Sequence, residues 1–415
     1  MPSGNLLVAQ GGGPTAVVNC SLVGVIEEAK RAGVTKINKI IGALNGVDGI
    51  IDEVLIDLRK ELPSTLRKIY HMPGAALGSC RRTMAEEDYG RIVDVFSKYN
   101  VRYFFYIGGN GSMHTANKVA QAARDLGYSL AVIGVPKTID NDIPHTDHSP
   151  GYGSGARYFA TVTKEIGLDV ESLPPPISVI ETLGRNTGWL AAATSLAREK
   201  EEDAPNLIYV PERNLSIDKF LSDVSNVYDK LGRAVVVVSE GLKDEQGNYL
   251  GGIKTEASKD GFGRGLPGGA ASYLAELISE KLGIRARSEK PGLAARAGIE
   301  YVSSTDQREA HLVGKMAVRF ALEGKTGVMM TLVREDRKDY RCTVGYVPLE
   351  AVSAQERLLP NEYLNKNGND VSSSFIRYCL PIIGGQVRSF ASLARHKLIK
   401  RGKSLSTGKS LHTNF

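Results

Sequence analysis

The feature that most constrains this chain is an alternation of two kinds of segment. Short runs, apolar on both faces, fall at Asn5–Ala9, Tyr103–Ile107, Leu130–Val135, Ser178–Glu181, Leu207–Val210, Ala234–Ser239 and Gly327–Thr331. Between them, helix-period segments lie at Pro14–Arg31, Met113–Leu126, Trp189–Glu199, Ile217–Lys230, Ala270–Leu282 and Gln307–Leu322. A strand apolar on both faces needs cover above and below, and intervening helices supply it. At 415 residues the chain exceeds one usual domain. The pattern therefore predicts an α/β protein: two doubly wound, Rossmann-like domains with mainly parallel sheets and the functional site in the cleft between them.

Composition narrows the partners. A hydrophobic share of 42% and a charged share of 24% are ordinary for a globular chain. No run approaches the roughly 20 apolar residues of a membrane span, and Met1–Gly13 enters a strand-like stretch without a basic-then-apolar leader. The four cysteines (Cys20, Cys80, Cys342, Cys379) lack paired spacing, which argues against a zinc site or a disulfide framework and predicts a cytoplasmic protein. The net charge of +6 is concentrated at one end. Arg388, Arg395, Lys397, Lys400, Arg401, Lys403 and Lys409 make residues 381–415 a basic extension without acids, and subtracting these seven leaves the first 380 residues near −1. A short basic tail is a weak nucleic-acid signal, so neither nucleic acid nor membrane is expected as a partner.

In open parallel sheets, ligands bind beyond the C-terminal ends of strands, and three loops there carry chemistry. Gln10-Gly11-Gly12-Gly13-Pro14-Thr15 and Gly108-Gly109-Asn110-Gly111-Ser112 each sit between a strand and a helix. Small residues there let backbone N–H groups approach a phosphate. The third loop, Pro136-Lys137-Thr138-Ile139-Asp140-Asn141-Asp142, sets two carboxylates beside a lysine and a threonine. One aspartate can accept the proton of an attacking hydroxyl, the other can hold Mg²⁺, and the lysine can offset charge on a transferred group. His71, His114 and Trp189 read as structural.

Gly108–Ser112 and Pro136–Asp142, with Glu181-Thr182-Leu183-Gly184-Arg185 and Ser239-Glu240-Gly241, occur in the order and approximate spacing of the phosphofructokinase family. The resemblance covers about Asn5 to Gly327, and its most specific motif is Pro136–Asp142. It implies Mg²⁺-dependent phosphorylation of fructose 6-phosphate at the 1-hydroxyl, with ATP or inorganic pyrophosphate as donor. By position, Asp140 matches the catalytic base, and Lys137 and Thr138 contact the transferred group. Asn110 and Asp142 match the metal site. Gly12, Arg81, Arg82, Gly109, Asn110, Gly111 and Ser112 match donor contacts. Thr138, Ile139, Asp140, Leu183, Gly184, Arg185, Glu240, Arg287 and Arg296 match acceptor contacts. Leu183 replaces the usual methionine, Leu293 stands where many members have histidine, and Pro176 stands where many have an arginine that reaches a neighbouring subunit.

The donor positions are mixed. Pyrophosphate users typically carry aspartate at the position of Gly111, where glycine leaves room for a nucleotide. Lys137 is typical of the pyrophosphate users, and Asn110 replaces the aspartate that ATP users present to Mg²⁺. Because an open site is the harder requirement, ATP is the expected donor, with pyrophosphate the alternative. A catalytically silent nucleotide-binding regulator is the reading from a different class. The resemblance also implies a homodimer or homotetramer and a chain that crosses between domains. It assigns residues 1–150 with about 293–345 to donor binding and 151–292 with about 346–380 to sugar-phosphate binding.

Overall fold

The computed structural model describes residues 3–173, 176–251, 268–337, 339–353, 355–391 and 393. Most of the basic extension, residues 252–267 of the expected long loop, and Pro174 and Pro175 lie outside the described residues.

Two sheets form. The strands of the first are β1 (Gly4–Gln10), β2 (Ile37–Ala43), β3 (Leu55–Asp57), β4 (Val101–Gly108) and β5 (Ala131–Pro136), joined late in the chain by β10 (Val328–Arg334) and β11 (Cys342–Pro348). Their spatial order is β11-β10-β5-β4-β1-β2-β3. The second sheet orders β7 (Leu207–Tyr209), β8 (Ala234–Ser239), β6 (Ile177–Thr182) and β9 (Ala286–Glu289). Pairing is parallel except at the two edges β2–β3 and β10–β11, so the doubly wound, mainly parallel α/β expectation holds.

The period-2 geometry of strands explains why both faces are apolar. Leu6 and Val8 of β1, with Tyr103, Phe105 and Ile107 of β4, face the helices Val18–Ala32 and Ser304–Leu322. Leu7, Ala9, Phe104 and Tyr106 face the opposite layer, under helices Glu86–Lys98 and Asn110–Asp125. In the second sheet, Ile180, Val235 and Val237 pack against helix Tyr152–Ser172, the buried Trp189 and helix Ser373–Ile382. Val179, Val236 and Val238 pack against helices Ile217–Leu231 and Ala270–Leu282. Each such side chain contributes roughly 1.5–3 kcal/mol by leaving water.

Local readings needed correction where propensity misled. The helix expected at Trp189–Glu199 is α-helical only over Trp189–Ala193 and tightens to a 3₁₀ turn over Thr194–Ala197. The helix expected from Met113 begins earlier, at Asn110, so Asn110, Gly111 and Ser112 form its first turn. Helix Tyr152–Ser172 carried no helical reading because its glycine-rich start resembles a loop; those small residues let it approach Asp306 and Ile139 closely.

Candidate active site

The seven-stranded sheet delivers three loops to one edge. β1, β4 and β5 are parallel neighbours, so the segments after Gln10, Gly108 and Pro136 leave side by side. Gly12 adopts φ +73°, a left-handed conformation that favours glycine, and its carbonyl accepts from Ser79 Oγ at 2.6 Å. The buried Gln10 side chain ties this loop to the segment below it, accepting from the Leu77 amide at 2.9 Å and donating to Asn19 Oδ1 at 3.1 Å.

Lys137 joins all three loops. It is only 3% exposed; its amide donates to the Gly108 carbonyl at 2.9 Å and its Nζ to the Gly13 carbonyl. Burial pushes its ammonium down to about 8, and the Arg296 guanidinium nearby adds to the effect. That guanidinium lies against Gly13, with Cζ 3.6 Å from where a β-carbon would stand.

The Asp140 amide donates to Thr138 Oγ1 at 3.1 Å, which turns the loop back on itself. The loop is closed by Thr138 N to Pro150 O at 3.1 Å and Ser149 N to Asn141 Oδ1 at 3.0 Å. Burial raises the Asp140 carboxyl above the ordinary range, opposed by Arg296 and Lys137 and reinforced by Glu240 and Glu356. Asp142 is raised too, by burial and then by the Asp140 charge beside it. Asn110 Nδ2 donates to Asp142 Oδ2 at 2.9 Å, while Asn110 Oδ1 and Asp142 Oδ1 are buried without a partner. Unpartnered amide and carboxylate oxygens are the kind of ligand a hard divalent cation takes.

The four-stranded sheet supplies the facing wall. β6 and β8 are parallel neighbours, so Leu183-Gly184-Arg185 and Glu240 leave the same edge. Gly184 adopts φ +126°, and its amide donates to Glu240 Oε1 at 3.2 Å. Burial raises the Glu240 carboxyl. The two walls meet where Thr187 Oγ1 donates to the Asp140 carbonyl at 3.1 Å.

The structure thus brings together Gly12, Lys137, Thr138, Asp140, Asp142, Asn110, Glu240 and Arg296, with Gly109, Gly111, Ser112, Ile139, Leu183, Gly184 and Arg185 on the same loops. Arg81 is exposed and within electrostatic reach of Lys137. Two expected contacts are each engaged by carboxylates. Arg82 is held by Asp88 at 3.1 Å and Asp48 at 3.4 Å. Arg287, on β9 opposite Ser178, is paired with Asp169 and lies 3.6 Å from Glu289, well before the strand end that carries Gly184. Leu293 is 64% exposed. His114 bonds Ser353 at 2.7 Å, and His71 packs its ring on Tyr70.

Sequence reasoning missed Glu356, Arg357 and Thr187. Glu356 accepts from Asn186 and bears on both aspartates. The Arg357 amide donates to the Asp142 carbonyl at 2.7 Å, and its guanidinium lies 4.5 Å from the Trp189 ring centroid. No motif marks these positions, because folding alone carries the segment past the cleft.

Two anion-suited loops on one sheet, an aspartate poised beside them, and a carboxylate and cation on the other sheet make this a phosphotransferase of the doubly wound α/β class. The phosphofructokinase family model matches residues 5–321, and the chain belongs to that family. Among its relatives is a pyrophosphate--fructose 6-phosphate 1-phosphotransferase of Xanthomonas campestris pv. campestris, 39% identical over 93% of each chain. A sulfofructose kinase of Alkalicoccus urumqiensis is 33% identical over 86% of this chain and 91% of that relative. The crystal structure of a pyrophosphate-dependent phosphofructokinase from Marinobacter aquaeolei superposes with a TM-score of 0.83 at 36% identity, covering 99% of both chains.

Proposed function

We propose that this enzyme transfers a phosphoryl group from inorganic pyrophosphate to the 1-hydroxyl of fructose 6-phosphate, giving fructose 1,6-bisphosphate and orthophosphate. The observation that carries the reaction is Asp140, set between the loops of the first sheet and Glu240 of the second. Its environment keeps a proton-accepting carboxylate near neutral working pH, which suits a general base. Asp140 takes the hydroxyl proton as the oxygen attacks the terminal phosphorus. Lys137 and the N–H groups of the glycine loops face the negative charge of the transferred group. Glu240 accepts from sugar hydroxyls, and Arg185 and Arg296 are the cations suited to the acceptor's phosphate.

Mg²⁺ fits the pair Asn110 and Asp142, whose unpartnered oxygens would hold it, and it would neutralise charge on the donor phosphates. The donor rests on the names of the Xanthomonas and Marinobacter relatives together with Lys137 buried at the glycine loops. ATP, expected from Gly111, becomes the second donor: open space beside that glycine admits a nucleotide but does not require one.

One observation favours a second acceptor. Leu293 and Pro176 withhold two polar groups from the anionic end of the sugar, and Arg287 is already paired. A sulfonate carries one negative charge where a phosphate carries about two, so it needs fewer cations; the Alkalicoccus relative is named for such a sugar.

We further propose that residues 1–150 with about 293–345 bind the donor and 151–292 with about 346–380 the acceptor, supported by the return of β10 and β11 to the first sheet. A cytoplasmic homodimer or homotetramer completes the proposal, and the four free cysteines fit a reducing compartment. The test is product formation with Mg²⁺ from each pairing of fructose 6-phosphate or sulfofructose with pyrophosphate or ATP. Turnover of fructose 6-phosphate with pyrophosphate supports the reading. Turnover confined to ATP overturns the donor assignment, and turnover confined to sulfofructose overturns the acceptor.

A further inference from the structure

The limb that closes the Asp140 loop holds a buried ion network that the proposed reaction does not use. His148 is fully buried; its Nδ1 lies 2.8 Å from Asp147 Oδ2 and its Nε2 2.7 Å from Glu309 Oε2. Ionised carboxylate oxygens only accept, so bonding both ring nitrogens this way requires an imidazolium. Arg334 of β10 bonds Asp147 Oδ2 at 3.0 Å, and Tyr340 OH donates to Glu309 Oε1 at 2.8 Å. Cys342 of β11 lies 3.3 Å from Tyr340 OH, and the buried Asp306, on the same helix as Glu309, also feels the His148 charge. The ligand atoms of Asp147, His148 and Cys342 fall within 4.8 Å of one another. With Arg334 on Asp147 and both imidazole nitrogens engaged, however, the cluster is a closed ion network and not a cation site.

The network is wired to the catalytic limb. The Asp147 amide donates to the Leu332 carbonyl at 2.9 Å, and the Asp147 carbonyl accepts from Tyr378 OH at 2.8 Å. Tyr378 OH in turn accepts from Asn141 Nδ2 at 3.0 Å, next to Asp140. The outgoing limb with Asp140 and Asp142 and the return limb with His148 are thus cross-braced at Asn141.

We propose that His148 is a positioning residue for Asp140: clamped between Asp147 and Glu309, it pins the return limb so that the brace at Asn141 holds Asp140 in the cleft. The inference rests on reading Asp140 as the base. Loss of the imidazolium leaves Asp147 or Glu309 short of a donor in a dry site, and the limb relaxes toward water. Burial disfavours the charge, but the carboxylates more than offset it and hold the imidazole up to about 9.

The experiment uses the full chain with two variants, His148→Asn and Glu309→Gln, the second keeping side-chain shape should the first fail to fold. His148→Asn is expected to lower kcat by about 10²-fold with KM for fructose 6-phosphate and pyrophosphate within about threefold. Glu309→Gln is expected to match the wild type near pH 6.5, with the ratio of wild-type to variant kcat growing as pH rises. Taking that ratio cancels any titration the two proteins share. A third measurement, hydrogen exchange of the backbone amides in the Asp140–Asp142 loop, is expected to speed up in His148→Asn as the loop opens to water. Folded variants with kcat within about twofold and unchanged exchange of those amides would overturn the proposal. Should the wild type turn over no fructose 6-phosphate, the exchange arm decides alone: faster exchange keeps the brace and sinks only the function, and unchanged exchange sinks the brace.

Discussion

Asn110 donates its side-chain amide to Asp142 Oδ2 at 2.9 Å and to the Asp142 carbonyl at 3.3 Å, and one side-chain oxygen of each residue is buried without a partner. Replacing Asn110 by Ala removes one oxygen and frees the other to rotate. The expected outcome is a rise of about 10–100-fold in the Mg²⁺ concentration for half-maximal turnover, with KM for fructose 6-phosphate little changed. Titration of the initial rate against free Mg²⁺ checks this.

Asp140, proposed as the base, carries a stability cost. Its carboxyl is raised by burial, so the folded state favours the protonated form, and stability falls as pH climbs from the ordinary carboxylate range through the folded value. Asp140→Asn removes that ionisation. Turnover is expected to drop by about 10²–10⁴-fold while the melting temperature at neutral pH rises by a few degrees. Loss of turnover accompanied by a lower melting temperature would argue that the side chain holds the loop together instead.

Lys137 is expected to give the enzyme an alkaline limit. With its ammonium held down to about 8, the charge facing the donor is present below that pH and lost above it. The kcat/KM for pyrophosphate is expected to decline through pH 8 with a single-proton slope, and Lys137→Met to be low and flat across the same range. A wild-type profile level to pH 10 is the result that excludes Lys137 as the titrating group.

Gly111 is expected to separate the donors. A β-carbon there meets nothing within 4 Å, so Gly111→Asp is expected to fold with stability within about 0.5 kcal/mol of wild type. Pyrophosphate turnover is expected to persist, and any ATP turnover to vanish, because the added carboxylate repels a nucleotide's inner phosphate. Competition between ATP and pyrophosphate in both proteins measures the gate.

His148 links the loop to stability with the opposite sign from Asp140. Its folded value of about 9 lies above the ordinary value of roughly 6.5. The stabilisation is therefore complete below about pH 6.5 and lost as pH rises through 9. The difference in melting temperature between wild type and His148→Asn is expected to be largest near pH 6 and to shrink steadily toward pH 9.

Much of the architecture was legible in the sequence because its signals are local. A parallel strand covered on both faces must be apolar at every position, and Tyr103–Ile107 and Ala234–Ser239 show it without reference to neighbours. Strand β11, half-exposed at an edge, and the glycine-rich start of helix Tyr152–Ser172 carry no such signal and were missed. The loops Gly108–Ser112 and Pro136–Asp142 were legible for the same reason: small residues and paired carboxylates at a strand end are unusual in themselves.

What only the tertiary structure decided is which of these groups meet. The sequence alone named Lys137, Asp140 and Asp142, and the family resemblance added Glu240. It could not show that Lys137 spans three loops, that Arg287 is already paired while Arg296 lies against Gly13, or that Glu356 reaches both aspartates. Those relations depend on strand order and on a chain that returns to the first sheet after leaving the second. Burial and charge act through space across segments up to some 200 residues apart, so no window along the chain contains them.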